Sequence, residues 1–316
     1  MSKSTPLVSI GLPVYNGAAF LSRSLDSLLQ QTQTNFELII SDNASMDETE
    51  SICRAYAAKD RRVSYYRNES NIGLPANFNR VFHLSTGKYF QWATADDICQ
   101  PGHLSRCVEV LERDATVVLA YTRAMFIDAE GTPIEMKDPG WNLMSQSAKA
   151  RFRYVIFAGH WNNALLGVMR ADALSKTRLL PTYPAGDFRL LGELSLLGKL
   201  CEVQDYLFYR RLHSGASSQT GKSLDTRLRY YWGHNGKFCL PYSSLILDHC
   251  FSVWHSKLTF SDKLSLMHAL LVRARWGRRR IFEELKEAST TYLLRHQLGS
   301  TNGPSLSSPG PTGESK

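Results

Sequence analysis

Over its first 121 residues the chain alternates between short apolar runs and longer stretches with apolar residues at helical spacing. Residues 7–12, closed by Pro13, read as a strand, as do 36–41, 63–66, 89–93 and 117–121. Between them, residues 18–31 place Leu21, Leu25, Leu28 and Leu29 on one helical face. Ser45-Met46-Asp47-Glu48 carries a capping-box pattern for a helix reaching about Ala58. Residues 75–84, with Pro75 in the first turn, and 104–113 also read as helices. Strand then helix, repeated, implies right-handed βαβ units, so an α/β fold with a mostly parallel sheet is expected.

The alternation weakens afterwards. Residues 126–144 are rich in Gly, Pro and polar side chains and read as a loop. Residues 152–157 fit a helix, 164–169 a strand, 187–197 a helix with Leu190, Leu191, Leu194 and Leu197 on one face, and 207–212 a strand. Residues 222–298 read as helical, and the Gly-, Ser-, Pro- and Thr-rich stretch 299–316 as a disordered tail. The expected organisation is an α/β domain over 1–221 with halves 1–121 and 122–221, a helical extension over 222–298, and the tail.

At 316 residues the chain is long enough for one large domain or two small ones. Its six cysteines form no Cys-x-x-Cys pair, which argues against a disulfide framework or a zinc ribbon and for a reducing cytoplasm. The apolar run 7–12 is too short for a signal-peptide core or a membrane span. The net charge of +8 sits almost wholly at the end: residues 222–316 carry 14 Lys/Arg against 7 Asp/Glu. Such a segment suits polyanions, and no nucleic-acid recognition motif accompanies it. Within 271–282, five Arg and Trp276 interleave with apolar residues. That pattern fits an anionic membrane surface, or a helix packed on the main domain with a solvated basic face. No Gly-x-Gly-x-x-Gly follows the first strand and no Gly-x-Ser-x-Gly occurs, against dinucleotide binding and serine hydrolysis.

Four strand ends carry the chemistry. Open α/β sheets bind ligands at the carboxyl ends of their strands. The fourth strand runs through Tyr89-Phe90-Gln91-Trp92-Ala93 into Thr94-Ala95-Asp96-Asp97. Adjacent carboxylates after an apolar strand are costly unless neutralised, and a hard divalent cation with oxygen ligands would do so. A solvated loop with one acid capping the next helix is the alternative. The first strand ends in Pro13-Val14-Tyr15-Asn16-Gly17, where Tyr15 can stack on a nucleobase or Asn16 can simply cap a helix. Asp42 ends the second strand as an acceptor for a base N–H or as an Asx-turn former. After the third strand, Asn71 and Gly73 allow close approach of a phosphate or base, or a turn before a helix.

Together these stations resemble the inverting family-2 glycosyltransferases of the GT-A fold, closely from Leu7 to about Pro101 and more loosely to about Ser218. The resemblance implies a Rossmann-like, mostly parallel sheet flanked by helices, followed here by a C-terminal helical extension. It implies a nucleotide pocket of Pro13, Tyr15, Asn16, Asp42, Asn71, Thr94 and Asp96, with Mg²⁺ or Mn²⁺ on Asp96. The family's Asp-Ala-Asp-Asp motif is Thr94-Ala95-Asp96-Asp97 here. Asp187 matches the family's general base, and the Glu that usually precedes it is Gly186. His213 is a candidate second metal ligand. Arg210 and Arg211 are candidate diphosphate contacts, as Asp97 is for diphosphate or acceptor. Trp161 is a candidate wall of the acceptor site or a core residue.

The implied partners are a nucleotide-sugar donor, with a UDP-sugar suggested by Asp42, and a saccharide or lipid-linked saccharide acceptor in cell-surface polysaccharide assembly. The implied location is cytoplasmic, peripheral on the membrane. Two other readings stay open: a nucleotidyltransferase on a related sheet, and a non-catalytic sugar-nucleotide-binding protein.

Overall fold

The structure is a computed structural model that describes residues 5–136, 138–158, 163–215 and 240–286. The sequence expectations for 216–239, for 287–298 and for the tail lie outside the described residues. The first half follows the expected alternation: β1 (Val8–Val14), α1 (Ala18–Leu29), β2 (Phe36–Asp42), α2 (Thr49–Lys59), β3 (Val63–Arg67), α3 (Leu74–His83) and β4 (Tyr89–Trp92). Strands β3-β2-β1-β4 lie side by side and pair in parallel. β1 is buried on both faces, as a strand covered by helices on each side must be.

Beyond β4 the sheet is mixed rather than mostly parallel. The chain continues through β5 (Ile98–Cys99), α4 (His103–Arg113), β6 (Val117–Ile127), β7 (Pro133–Ile134), α5 (Ala148–Phe157), a 3₁₀ turn (Ala164–Leu166), β8 (Val168–Arg170), α6 (Ala171–Leu174), α7 (Gly186–Leu197) and β9 (Lys199–Arg211). β8 is antiparallel to both β4 and β6, and β5 is antiparallel to β9, while β6 and β9 run parallel.

Three local expectations are corrected. Ser45 does not cap α2, whose N-terminal boundary is Glu48 without a side-chain cap, because Ser45 is committed to the β1–α1 turn. The loop expected from 126 begins later and is interrupted by β7 pairing with β6. The strand expected at 164–169 starts as the 3₁₀ turn and is extended only over Val168–Arg170.

One core cluster runs under the whole sheet, from Val8 and Leu38 to Leu191 and Phe208. After the undescribed segment, α8 (Pro241–His255) and α9 (Phe260–Trp276) build a second cluster with α5: Phe152, Ile156, Val253, Leu266, Ala269 and Leu270. Helical backbone resumes at 278–286.

Candidate active site

The two-residue strand β5 assembles the site. Ile98 pairs with Tyr209 and Cys99 with Phe208, so the acids just before β5 meet the residues just after that point on β9. The parallel β6–β9 ladder shifts register around Arg123, where β9 carries extra residues. Such bulges bend a strand and re-aim the side chains beyond them. The consequence is that Asp96, Asp97, Arg210, Arg211 and His213 share one end of the sheet.

His213 Nε2 lies 3.1 Å from Asp96 Oδ2. Both side chains are partly exposed, at 18% and 29%. The Phe20 ring on α1 packs against the imidazole with centroids 4.6 Å apart and fixes its plane. One carboxylate oxygen and one imidazole nitrogen at this spacing fit a divalent cation that completes its shell with phosphate oxygens and water. Among the described residues, no group of three or more His, Cys, Asp or Glu side chains is arranged to hold a metal by itself. The donor set therefore suits a cation that arrives with a phosphorylated ligand.

The adjacent acid points the other way. Asp97 is 7% exposed. It accepts the Thr94 hydroxyl at 2.6 Å and the Arg211 backbone N–H at 2.8 Å. Burial, then the neighbouring Asp96 charge, pushes its carboxyl up to about 7. Asp97 is thus a buried brace for the acid loop rather than a contact offered to diphosphate or acceptor. Thr94 takes part in the same brace, and its carbonyl accepts from Ser24 on α1.

Arg211 is also corrected. Its side chain is 2% exposed, and its guanidinium donates to the carbonyls of Asp96, Asp128 and Ala129. Satisfying three backbone carbonyls with a side chain that is almost wholly buried leaves no face toward a diphosphate. Arg210 differs: it donates to Asn163 Oδ1 at 2.6 Å, and its charge acts on both Asp97 and Asp187.

Asp187 stands in the first turn of α7. Burial raises its carboxyl above the usual range, opposed by the backbone N–H groups of Phe188 and of Asp187 itself and by Arg210. It is not the N-cap; that position is Ala185, held at φ 65°. A non-glycine residue there costs on the order of 1–3 kcal/mol and persists only where its surroundings fix it. Gly186 has a steric reason. A Cβ added to it would lie 2.4 Å from the Pro181 ring, so this backbone has no room for the Glu found there in the family.

On the opposite flank, Pro13 is buried within β1, and Tyr15 and Asn16 are exposed on the turn that follows. Asn16 adopts φ 50°. Its N–H donates to Ser45 Oγ, and its Oδ1 accepts from Met46 N–H at 2.8 Å. Gly17 and Ala18 N–H groups donate to Thr49 and Asp47. The β1–α1 turn is therefore latched to the β2–α2 loop, leaving the Tyr15 ring at the surface.

Asp42 is not at the surface. It is 0% exposed, and its carboxylate accepts from Ser45 N–H, Tyr65 Oη and Arg67 Nη1, each at 2.8 Å. The expected contact to a base N–H is replaced by an ion pair with Arg67, whose own side chain is 34% exposed. Asn71 is partly buried and accepts from Asn43 Nδ2 and Gly73 N–H. Gly73 has φ 86°, which a side chain would oppose. Asn43, Asn68 and Asn77 extend this amide network to Ser41 on β2. Arg67, Asn43, Asn68, Asn77 and Phe20 were not singled out from sequence. The three asparagines at 68, 71 and 77 were the available signal, since short polar side chains clustered after a strand commonly organise a loop. Trp161 lies outside the described residues.

The sequence model described as glycosyl transferase family 2 matches residues 9–166. Chondroitin synthase of Escherichia coli is 33% identical over 216 residues, 68% of this chain and 30% of that protein. The chain spans less than half the length of most of the curated relatives it matches. Among solved structures, Staphylococcus aureus TarS in complex with UDP-GlcNAc matches with a TM-score of 0.63 at 15% identity, over 84% of this chain and 72% of that one. The Pyrobaculum calidifontis mannosyltransferase PcManGT, in complex with GDP-Man and Mn²⁺, matches with a TM-score of 0.55 at 15% identity, over 94% and 81%. These likenesses show a GT-A fold, a curled mixed sheet flanked by helices. With the match over half of its length, the chain belongs to glycosyltransferase family 2.

Proposed function

We propose that the protein moves a sugar from a UDP-sugar to a hydroxyl of a saccharide or lipid-linked saccharide, with inversion at the anomeric carbon. The observation that carries this reading is Arg210, whose charge acts on Asp187 and on the acid loop at once. It links a candidate base to the loop that carries the candidate cation ligand Asp96.

In this reading Asp187 takes the acceptor proton, and its raised affinity for protons matches that task. The hydroxyl attacks from the face opposite the leaving nucleotide, with no covalent enzyme intermediate. Asp96 and His213 would hold Mg²⁺ or Mn²⁺, which when bound supplies positive charge beside the leaving diphosphate. Arg210 adds a fixed cation on the acceptor side. Tyr15 offers a stacking face for the base, Arg67 lines the pocket edge, and Asn71 shapes the loop beside it. UDP is favoured over other nucleotides because TarS, a fold neighbour, was captured with UDP-GlcNAc. The Mn²⁺ with PcManGT supports the metal assignment.

On the same reading residues 1–221 form the GT-A domain and 222–298 the basic extension. Leu271, Trp276, Phe282 and Leu285 are exposed beside exposed Arg275, Arg278, Arg279 and Arg280. This surface would rest on anionic lipid at the cytoplasmic face. Among the described residues no helix is long and apolar enough to cross a membrane. Product analysis with a UDP-sugar panel tests the function. Release of UDP with an inverted glycosidic product supports it, whereas release of inorganic pyrophosphate would establish the nucleotidyl-transfer alternative.

A further inference from the structure

The segment immediately before Asp187 is held from two sides, by α3 within the family-matched residues 9–166 and by α8 beyond them. Residues 178–186 contain two non-glycine residues in the left-handed region, Leu179 at φ 56° and Ala185 at φ 65°. From the nucleotide side, Asn79 on α3 donates to the Leu180 carbonyl at 2.9 Å and accepts its N–H at 3.0 Å. From the C-terminal side, α8 supplies Asp248. Its Oδ1 accepts from Arg178 Nη1 at 2.6 Å, and its Oδ2 accepts the Tyr183 hydroxyl. Arg189 Nη1 lies 3.6 Å from Asp248 Oδ2, while Nη2 of the same residue donates to the carbonyls of Arg178 and Leu179. Ser252, one turn along α8, accepts from Arg178 and donates to Glu193 on α7. His249 Nε2 sits 3.3 Å from the carbonyl of Phe188, the residue after Asp187.

Asp248 thus joins three side chains, Arg178, Tyr183 and Arg189, that bracket the strained run ending at the acid. We propose that Asp248 is a positioning residue for Asp187, through which the C-terminal helix α8 sets the geometry of glycosyl transfer. The inference rests on Asp187 acting as the base. It predicts that α8 is part of the working enzyme and not an appendage to it, because weakening the partner of two hydrogen-bonded groups and one ion-paired guanidinium frees the 178–186 segment to relax.

The test uses the full chain with Asp248→Asn and, separately, Tyr183→Phe, which deletes one hydroxyl and keeps the ring in its packed place. UDP-release rates are measured with the UDP-sugar and acceptor on which the parent is active, alongside UDP binding in the presence of Mn²⁺. Misplacement of a catalytic group by about 1 Å costs up to about 100-fold. The expected result is a fall in kcat of about 10- to 100-fold for Asp248→Asn and a smaller fall for Tyr183→Phe. Donor KM and UDP affinity should stay within about twofold. The acid limb of the pH–rate profile should also move, because the surroundings of Asp187 change. A merely structural role would lower thermal stability while leaving kcat per folded molecule and the pH profile at parent values, and that result overturns the proposal. Should Asp248→Asn not fold, Tyr183→Phe alone decides by the same criteria. Asp187→Asn runs in parallel: parent activity there refutes the base assignment itself, whereas an inactive Asp187→Asn beside unaffected Asp248→Asn and Tyr183→Phe refutes only the positioning role.

Discussion

The imidazole of His213 stands 3.1 Å from Asp96, 117 residues earlier in the chain, because β5 pairs with β9 immediately between them. The pairing makes one edge of the sheet from two distant segments. Its consequence can be measured. His213→Ala and Asp96→Ala should each weaken UDP binding in Mn²⁺ by at least about tenfold, about 1.4 kcal/mol. Binding without metal should change little. A thermal-shift titration of UDP with and without Mn²⁺ reads both, and a loss of equal size in EDTA would contradict the shared site.

Arg210 lowers the proton affinity of Asp187, which burial raises. Removing that cation leaves burial less opposed, so the carboxyl moves further up. A base works deprotonated, so activity rises as pH climbs through its pKa. Arg210→Gln should therefore shift the acid limb of kcat/KM to higher pH. An unmoved limb would mean that Arg210 does not act on the base.

Gly186 meets the Pro181 ring where its Cβ would be. Gly186→Ala should cost about 1–3 kcal/mol through overpacking and depress activity by displacing the neighbouring Asp187. Pro181→Ala removes the ring atoms in the way, so the double variant should recover much of the loss. A double-mutant cycle in urea reads the coupling, and strict additivity would show that the two residues do not meet.

His249 and His103 are both buried, and burial depresses each to about 4 from an ordinary 6.5. Each ring is therefore neutral in the folded chain at a pH where the unfolded chain protonates it. Their contribution is present above pH 6.5 and is lost as pH falls toward 4. The loss is at most about 3 kcal/mol per ring. Thermal melts from pH 7 to 4.5 should show falling stability, with a shallower slope in His249→Gln. An equal slope in the variant would remove His249 from the account.

Much of this architecture could be read directly, and the unread parts share a physical cause. The strands β1 to β4 and helices α1 to α4 are local and periodic, so their positions follow from nearest neighbours in the chain. The acids at 96 and 187 and the imidazole at 213 were visible as chemistry. Their partners were not. Asp42 looked like an open acceptor, but Tyr65 and Arg67 enclose it, and only the β2–β3 pairing brings those two alongside. Arg211 looked like an anion ligand, but the loop at 128–129 folds back onto it. The two-residue β5 is too short for any period to declare it, and the antiparallel direction of β8, a strand the sequence placed at 164–169, is set by tertiary pairing.

In the proposed reaction Asp187 removes the acceptor proton while the donor is held elsewhere. Asp187→Asn preserves shape and hydrogen bonding and deletes the base. Its turnover and its UDP affinity in Mn²⁺ are to be measured on one preparation. Transfer should fall by about 10²- to 10⁴-fold with UDP affinity within about twofold of the parent. Transfer at the parent rate by Asp187→Asn would contradict the proposed reaction.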